Sequence, residues 1–219
     1  PRIVPNARKM EEVTYDEMLE MASLGAKVLH SRCVEIAKKY GVELLVCSSL
    51  NRNSGTMVRE KTKMEKMLIS GVAADKNVAK IRVAGLGNDP ESTFRLLNLL
   101  DRNNLNIDVM IQSLGKDGTK SVSFTVAKPD MLRTIDVLND NKDLLGIKKL
   151  DYDENVAKVS VIGAGVRSHS GVAAKMFGAL ANAGINTEMV TTSEIRITAL
   201  IDEAYADQAM RAIHETFLE

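Results

Sequence analysis

Apolar and polar positions run through the same series of patterns twice in the C-terminal part of the chain. Each copy opens with an apolar run that ends in glycine, at residues 81–85 and 159–163. An amphipathic stretch with helical spacing follows, then two runs that resemble strands, and then a second amphipathic stretch. Each copy therefore predicts the order strand, helix, strand, strand, helix.

A repeated hexapeptide indicates that the two copies are an internal duplication. Residues 75–80 read Asp-Lys-Asn-Val-Ala-Lys, and residues 153–158 read Asp-Glu-Asn-Val-Ala-Lys. A motif that recurs at the head of two like patterns is typical of two related structural units. The predicted elements are, in order, strand 78–85, helix 91–103, strands 106–114 and 120–127 and helix 129–141, and then strand 156–163, helix 170–183, strands 185–193 and 194–201 and helix 204–217.

Each unit needs a fourth strand if it forms a complete βαββαβ sheet. The first unit can use residues 147–152, whereas the second has no strand after its last helix. An apolar run at 67–73 is otherwise unassigned, and an unpaired edge on a half-buried sheet is unfavourable. We infer that 67–73 completes the second sheet, so that one domain, 77–152, is inserted within another, 67–76 and 153–219. In the alternative arrangement, 67–73 extends the first sheet.

The N-terminal residues 1–48 follow a different pattern, of helix, helix and strand. A capping-box sequence from Thr14 to Glu17 begins the first helix, and Gly41 can end the second in a left-handed cap. The apolar run 42–47 then predicts a strand in a buried sheet. One such piece is typical of an α/β domain but is too small to fold alone. The polar stretch 49–66 predicts a linker.

The positions of apolar residues in this N-terminal segment predict which of its side chains are buried. The two cysteines, Cys33 and Cys47, lie in apolar-rich stretches and lack the spacing of a metal site or a CxxC motif. We therefore expect two small buried thiols. The second helix is predicted to bury Val34, Ile36, Ala37 and Tyr40.

Charge and composition narrow the classes of function. The 219 residues carry 29 basic and 29 acidic side chains, and aromatic residues make up 4%. Neither nucleic-acid binding nor attachment to an anionic membrane is therefore favoured. No apolar run approaches the roughly 20 residues that span a bilayer. The chain starts at Pro1 without a signal-peptide pattern, and we expect a cytoplasmic protein of which this segment is one part.

The most distinctive chemical feature is a glycine-containing loop before the first helix of each unit, at residues 85–90 and 163–171. Backbone N–H groups at helix N-termini attract a carboxylate or another anion. If the edges of the two units pair side by side at 106–108 and 186–188, an eight-stranded sheet forms and polar side chains of one unit face the loop of the other. Such a pocket suits the carboxylate and ammonium groups of a free amino acid.

No catalytic group stands out in the repeated part. His169 lies in the second loop and His214 on the last helix, and neither has a metal-site or triad partner at a recognisable spacing. We therefore assign no catalytic residue and no metal ligand. Because the loop of the second unit would face the strand edge of the first, a second candidate binding set consists of Ser168, His169, Asn106 and Asp108.

Five runs of the sequence are distinctive in their order and spacing more than singly. They are Pro-Arg-Ile-Val-Pro at 1–5, Ser-Leu-Gly-Ala-Lys-Val-Leu-His at 23–30, Gly-Ala-Gly-Val-Arg-Ser-His at 163–169, Gly-Val-Ala-Ala-Lys-Met-Phe at 171–177 and Thr-Ser-Glu-Ile-Arg-Ile at 192–197. Together they resemble the C-terminal part of aspartokinases, and the resemblance covers nearly the whole chain.

The resemblance implies an α+β fold. Two ferredoxin-like βαββαβ domains of the ACT type, paired through edge strands, would follow a C-terminal fragment (1–48) of an α/β amino-acid-kinase domain. The full-length enzyme would transfer a phosphoryl group from MgATP to the β-carboxylate of L-aspartate, the first step towards lysine, threonine and methionine.

The resemblance further implies a nucleotide site at the N-terminal end of the chain. Arg2 falls on a nucleotide-binding motif of the family and Lys27 on a lysine near the ATP phosphates, where a cation offsets the charge of the transferred group. The chain lacks the family's N-terminal Lys-Phe-Gly-Gly segment, so we expect it to be inactive on its own.

The resemblance also implies an effector site. Asn88, Asp89 and Gln112 fall on effector-contacting positions of the first ACT domain, and Asn186 and Thr187 on the facing wall. The loop departs from the family's Pro-Asp-Lys-Pro-Gly pattern, because asparagine stands at 88 and glutamate at 91 where aspartate and glycine are usual. We expect a homodimer through the ACT domains that binds lysine, threonine or both. The alternative is an oligomerisation module that binds no ligand.

Overall fold

The computed structural model describes residues 3–26, 28–50, 54–61 and 69–218. Within these ranges the strands are β1 (Glu12–Thr14), β2 (Leu44–Val46), β3 (Thr56–Arg59), β4 (Gly71–Leu86), β5 (Met110–Leu114), β6 (Lys120–Ala127), β7 (Lys149–Ile162), β8 (Met189–Thr192) and β9 (Arg196–Asp202). The helices are α1 (Tyr15–Ser23), α2 (Ser31–Tyr40), α3 (Glu91–Arg102), α4 (Met131–Asp140), α5 (Lys142–Leu145), α6 (Gly165–Ser168), α7 (Val172–Asn182) and α8 (Ala206–Leu218).

The chain divides into two compact units. An inserted unit comprises Asn77–Ala157, and a split unit comprises Pro1–Lys76 together with Lys158–Glu219. The long strands β4 and β7 each pass from one unit into the other. Both units combine sheets with helices, so the predicted α+β class is confirmed. The domain boundaries inferred from the sequence, 77–152 and 67–76 with 153–219, stay a prediction.

The inserted unit is built on the strand order β5-β6-β4-β7. Strand β6 pairs antiparallel with β5 and β4, and the N–H of Lys148 donates to the carbonyl of Ala84 at 2.9 Å. Val122, Phe124 and Val126 of β6 are buried on the face of the sheet that carries the helices, and Thr125 between them is buried as well. The core contains Ile81, Val83, Val122, Phe124, Val126, Leu96, Leu100 and Leu138.

The C-terminal part of the split unit has the order β4-β7-β9-β8. The N–H of Ser70 donates to the carbonyl of Ile162 at 2.7 Å, so the run that follows residue 69 pairs with β7 in this unit. Helices α7 and α8 pack on the sheet through a core that contains Ile69, Val159, Val161, Met176, Leu180, Ile197, Ile201 and Ile213.

The N-terminal part of the split unit contains a small sheet of order β1-β3-β2 and the helices α1 and α2. Strand β3 is parallel to β1 and antiparallel to β2. It lies within the stretch 49–66 that was predicted as a linker, so that prediction is wrong at Thr56–Arg59. The charged residues around this short run concealed the signal, although Val58 is fully buried in the core.

The predicted start of α1 and the predicted C-terminal end of α2 are confirmed. The hydroxyl of Thr14 accepts from the N–H of Glu17 at 3.3 Å, and the Glu17 carboxylate accepts from the N–H of Thr14 at 3.2 Å. Gly41 ends α2 with φ +65°, a backbone conformation that favours glycine.

Several predictions of burial in this region are wrong. Val34 and Ala37 of α2 are buried, but Ile36 and Tyr40 are 47% and 69% exposed. Both cysteines are exposed, and the strand expected at 42–47 is the short edge strand β2. Strand β2 lies at the edge of the small sheet, where one of its sides has no neighbouring strand among the described residues, and α2 buries Val34 and Ala37.

The predicted pairing of the two edges at 106–108 and 186–188 stays a prediction. Within the units, β5 pairs with β6 and β8 pairs with β9. The strands common to both units are β4 and β7, so one side of β5 and one side of β8 stay unpaired in this part of the chain. No helix in the described ranges is both long enough and apolar enough to cross a membrane.

Candidate functional site

The loop that joins β4 to α3 in the inserted unit is organised by Asp89. One carboxylate oxygen of Asp89 accepts a hydrogen bond from the N–H of Glu91 at 3.1 Å and contacts Nη2 of Arg95 at 3.1 Å. Asn88 and Asp89 are both exposed. The first turn of α3 is therefore capped by an aspartate of its own loop.

Two cations that the sequence reasoning did not single out hold this loop. Nζ of Lys120, at the start of β6, donates to the Asp89 carbonyl at 2.9 Å and lies 3.3 Å from the hydroxyl of the buried Ser92. Arg95 also pairs with Glu91 at 3.3 Å. The four-residue spacing of Glu91 and Arg95 on one helix is a signal from which their ion pair could have been predicted, whereas the contact of Lys120 depends on the fold of the sheet.

Gln112 of β5 is brought to the same loop. Its side-chain oxygen accepts a hydrogen bond from the hydroxyl of Thr93, in the first turn of α3, at 2.6 Å. Asn106 and Asp108 lie in the exposed segment before β5, where the N–H of Asp108 donates to the carbonyl of Thr125 at 3.1 Å. In the inserted unit the structure thus gathers Asp89 and Gln112 around one helix start.

The corresponding loop of the split unit runs from Gly163 to Gly171. The Ser168 hydroxyl lies 2.9 Å from Nδ1 of His169 and 3.4 Å from the carbonyl of Ala164. Both Ser168 and His169 are exposed. Gly171 precedes α7 with φ +102° and has no side chain with which to cap the helix.

This second loop is tied to the β8–β9 turn. Nη1 of Arg167 donates to the carboxylate of Glu194 at 2.9 Å, and the N–H of Gly163 donates to the carbonyl of Ile195 at 2.9 Å. Asn186 and Thr187 lie between α7 and β8 and are exposed. The split unit therefore presents polar side chains before α7 and before β8.

The candidate sets combine residues of the two units. Asn88, Asp89 and Gln112 belong to the inserted unit and Asn186 and Thr187 to the split unit. The second set divides in the same way, with Asn106 and Asp108 in the inserted unit and Ser168 and His169 in the split unit. Joint membership in either site stays a prediction. Arg2 and Lys27 lie outside the described residues.

The chemistry available in these loops favours binding over bond cleavage. Helix starts, hydroxyl groups and a carboxamide offer hydrogen bonds to a charged small molecule. In the ranges that the structure describes, no group of three or more His, Cys, Asp or Glu side chains could hold a metal ion. The described residues therefore do not fit a magnesium site.

Comparison with family models divides the chain into two matched segments. Residues 1–48 match the model of the amino acid kinase family, and residues 159–217 match an ACT domain model. An aspartokinase of Pseudomonas aeruginosa is 41% identical over 220 residues, which are 99% of this chain and 53% of the relative. The chain thus spans about half the length of the curated relatives it matches.

Solved structures agree with these matches. The ligand-free regulatory subunit of aspartate kinase from Thermus thermophilus is 33% identical with a TM-score of 0.65, and the similarity covers 68% of this chain and 99% of that subunit. Aspartokinase III of E. coli in complex with lysine and aspartate is 26% identical with a TM-score of 0.80. The similarity covers 100% of this chain and 48% of that enzyme chain.

Proposed function

Since the chain belongs to the aspartokinase family, we propose that it is the regulatory and assembly portion of an aspartokinase and that it binds free lysine, threonine or both. The observation that carries the proposal is the match of the whole chain to aspartokinase III of E. coli, whose structure holds lysine. Residues 77–152, and residues 67–76 with 153–219, are in this proposal the two ACT domains. The ACT model match at 159–217 supports the second of them.

The two helix-start loops are the proposed effector sites. They differ in whether a side chain already accepts from a backbone N–H at the start of the helix. In the inserted unit, the carboxylate of Asp89 already accepts from the N–H of Glu91, so a ligand carboxylate would have to displace it. In the split unit, Gly171 offers no side-chain acceptor at the start of α7. We therefore assign the ligand carboxylate to the start of α7, near Ser168 and His169.

The first proposed site, which includes Asp89 and Gln112, suits the ammonium groups of a ligand. Asp89 and Gln112 present oxygens, which accept hydrogen bonds from an ammonium group. Asn88, Asn106 and Asp108 are exposed around the same helix and strand. Asn186 and Thr187 complete the proposed set from the split unit. An amino acid with a second ammonium, such as lysine, matches this excess of acceptors.

Catalysis is a proposal for the whole protein. An aspartokinase that contains this chain would phosphorylate the β-carboxylate of L-aspartate with ATP and magnesium. Residues 1–48 match the amino acid kinase family, and Arg2 and Lys27 are the proposed nucleotide contacts. We assign no catalytic residue in this chain and expect no kinase activity from the 219 residues alone.

Assembly is proposed to use the unpaired sheet edges. On β5, Met110 and Ile111 are each 36% exposed and Leu114 is 62% exposed, and one side of the strand is unpaired among the described residues. An exposed apolar edge strand is a template for pairing with a second chain. We expect a homodimer whose copies join at the edge of an ACT sheet.

Isothermal titration calorimetry of this chain with lysine and with threonine tests the sensing proposal. Binding of either at millimolar or lower concentration, with leucine as a negative control, is the expected result. A His169→Ala variant should weaken that binding if the ligand lies at the start of α7. If no amino acid of the aspartate family binds, the sensing proposal is wrong and the oligomerisation module without a ligand remains.

A further inference from the structure

Helix α1 of the amino-acid-kinase segment is joined to the ACT segment of the split unit by an ion pair. Nη1 of Arg196, the first residue of β9, donates to a carboxylate oxygen of Glu20 at 2.9 Å. Their side chains are only 19% and 23% exposed. Other ion pairs are far more exposed, for example Arg167 with Glu194 at 71% and 74%. Partial burial strengthens the pair, because water screens it less.

Three consecutive residues of the split unit, ending at Arg196, connect the proposed ligand loop with α1. The Glu194 carboxylate accepts from Arg167 in the proposed ligand loop, and the Ile195 carbonyl accepts from the N–H of Gly163 at the start of that loop. A continuous line of direct contacts therefore runs from the ligand loop through residues 194–196 to Glu20. We name residues 194–196 the bridge.

A second group of contacts holds α1 against the same sheet. Glu17 is 8% exposed and accepts from the hydroxyl of Ser70, whose own N–H donates to the carbonyl of Ile162. Ala73 and Ile162 share a core with side chains of α1. These contacts hold the Glu17 turn of α1 on the sheet, and Glu20 on the next turn contacts Arg196 of the bridge.

We propose that the bridge is the coupling element of this regulatory portion: an amino acid bound at the start of α7 changes the Glu20–Arg196 ion pair and, through it, the stability of α1. This inference rests on the proposed function. It adds the route by which ligand binding reaches the kinase segment. Coupling of two sites requires an element with two arrangements that both sites bias, and here that element is the ion pair, made or broken.

The distances make the ion pair sensitive to small movements of the loop. The pair has 2.9 Å between its charged atoms, and a displacement of roughly 1–2 Å at the bridge takes it beyond hydrogen-bond range. Nε of Arg196 is buried without a hydrogen-bond partner among the described residues, so no second contact of that atom holds the guanidinium in place.

Hydrogen exchange of the α1 amides, measured by mass spectrometry with and without saturating lysine or threonine, tests the proposal on this chain. We expect the ligand to change the exchange rate of peptides covering Tyr15–Ser23 at least about fivefold in the wild type, the lower range for coupled sites. In Arg196→Gln and in Glu20→Gln the ligand should still bind, but the change in α1 should fall below twofold. Arg211→Gln, an exposed arginine on α8, is the matched control and should behave as the wild type.

The outcomes separate this proposal from the function on which it rests. If neither amino acid binds the wild type, both are overturned. If one binds and α1 exchange does not respond, or responds equally in Arg196→Gln and Glu20→Gln, the coupling route alone is wrong. A purely structural ion pair would alter α1 exchange without ligand and leave its response to ligand intact. Two variants from opposite sides of the pair keep the test decisive if one of them fails to fold.

Discussion

The carboxylate of Asp89 accepts a hydrogen bond from the backbone N–H of Glu91 at 3.1 Å. Nη2 of Arg95 contacts the same oxygen at 3.1 Å. The backbone N–H at the start of α3 and the charge of Asp89 therefore already have partners in the loop and the helix. An aspartate cap satisfies the same backbone group that an anionic ligand would use. The inserted unit therefore differs from the split unit, where glycine precedes the corresponding helix.

Two substitutions at Asp89 should separate its capping role from its charge. Asp89→Ala removes both and should lower the free energy of unfolding by about 1 kcal/mol. Asp89→Asn keeps an oxygen acceptor and should cost less. Both remove the negative charge that the proposed site offers to the ligand ammonium, so binding of lysine to the inserted unit should weaken by roughly fivefold, or about 1 kcal/mol.

Urea unfolding and calorimetric titration measure these two effects. Asp101→Ala, at the exposed C-terminal end of α3, is the control and should change neither property appreciably, because a carboxylate there gives the helix no cap. Equal loss of stability in Asp89→Ala and Asp101→Ala would contradict the capping role.

The features of this fold that could be predicted are those determined by residues near each other in the chain. The capping box at Thr14 and Glu17 and the left-handed end of α2 at Gly41 both depend on residues close together in the chain. Local hydrogen bonds and side-chain periodicity determine such features. The order of elements in the two repeats followed from the same signals.

Features set by distant contacts were predicted less well. Strand β3 has only four residues and is stabilised by β1 and β2, which flank it in the sheet although both precede it in the sequence. The pairing of edges at 106–108 and 186–188 rests on the general rule against bare edges and stays a prediction. At the candidate site, Gln112 was named from the family resemblance, whereas Lys120 reaches Asp89 only through the tertiary fold.

A close backbone approach at Gly25 predicts a large cost for any side chain there. Gly25 has φ +98°, and a Cβ atom would lie 2.4 Å from the carbonyl oxygen of Ala74. Gly184, in the same unit, has φ +70° with nothing within 4 Å of a Cβ atom. Both alanine variants should lose roughly 1–2 kcal/mol from the left-handed conformation, and Gly25→Ala should lose about 2 kcal/mol more from the steric clash.

Chemical denaturation followed by circular dichroism gives the comparison between these glycine variants. Equal midpoints for Gly25→Ala and Gly184→Ala would show that β4 does not approach α1 as closely as the structure has it. A larger loss in Gly25→Ala supports the contact between the kinase segment and the ACT sheet independently of the Glu20–Arg196 ion pair.

The turn between β5 and β6 should be sensitive to acid. The backbone N–H of Thr119, and then its hydroxyl, donate to the carboxylate of Asp117 and lower the pKa of that group. A carboxyl whose folded pKa is lowered adds stability above its unfolded pKa of about 3.9, and that stability is lost as the pH falls through the folded value.

Titration of the Asp117 carboxyl carbon by NMR measures this shift. In Thr119→Val the pKa should rise towards the ordinary value but not reach it, because the backbone N–H still donates. Thr216→Val, on α8, removes a hydroxyl far along the chain and should leave the titration of Asp117 unchanged. A midpoint for Asp117 at the ordinary value in the wild type would contradict the turn geometry.

The unpaired edges predict how two copies of the chain associate. The β5 edge exposes Met110, Ile111 and Leu114, whereas Val190 is the large apolar side chain exposed on β8. We therefore expect the dimer to form through β5. A lysine on an edge strand disfavours pairing with a second chain, so Ile111→Lys should weaken dimerisation at least about tenfold and Val190→Lys should not. Analytical ultracentrifugation over a range of concentrations measures both dissociation constants. The reverse order of effects would assign the interface to the split unit, and a monomeric wild type would exclude edge pairing altogether.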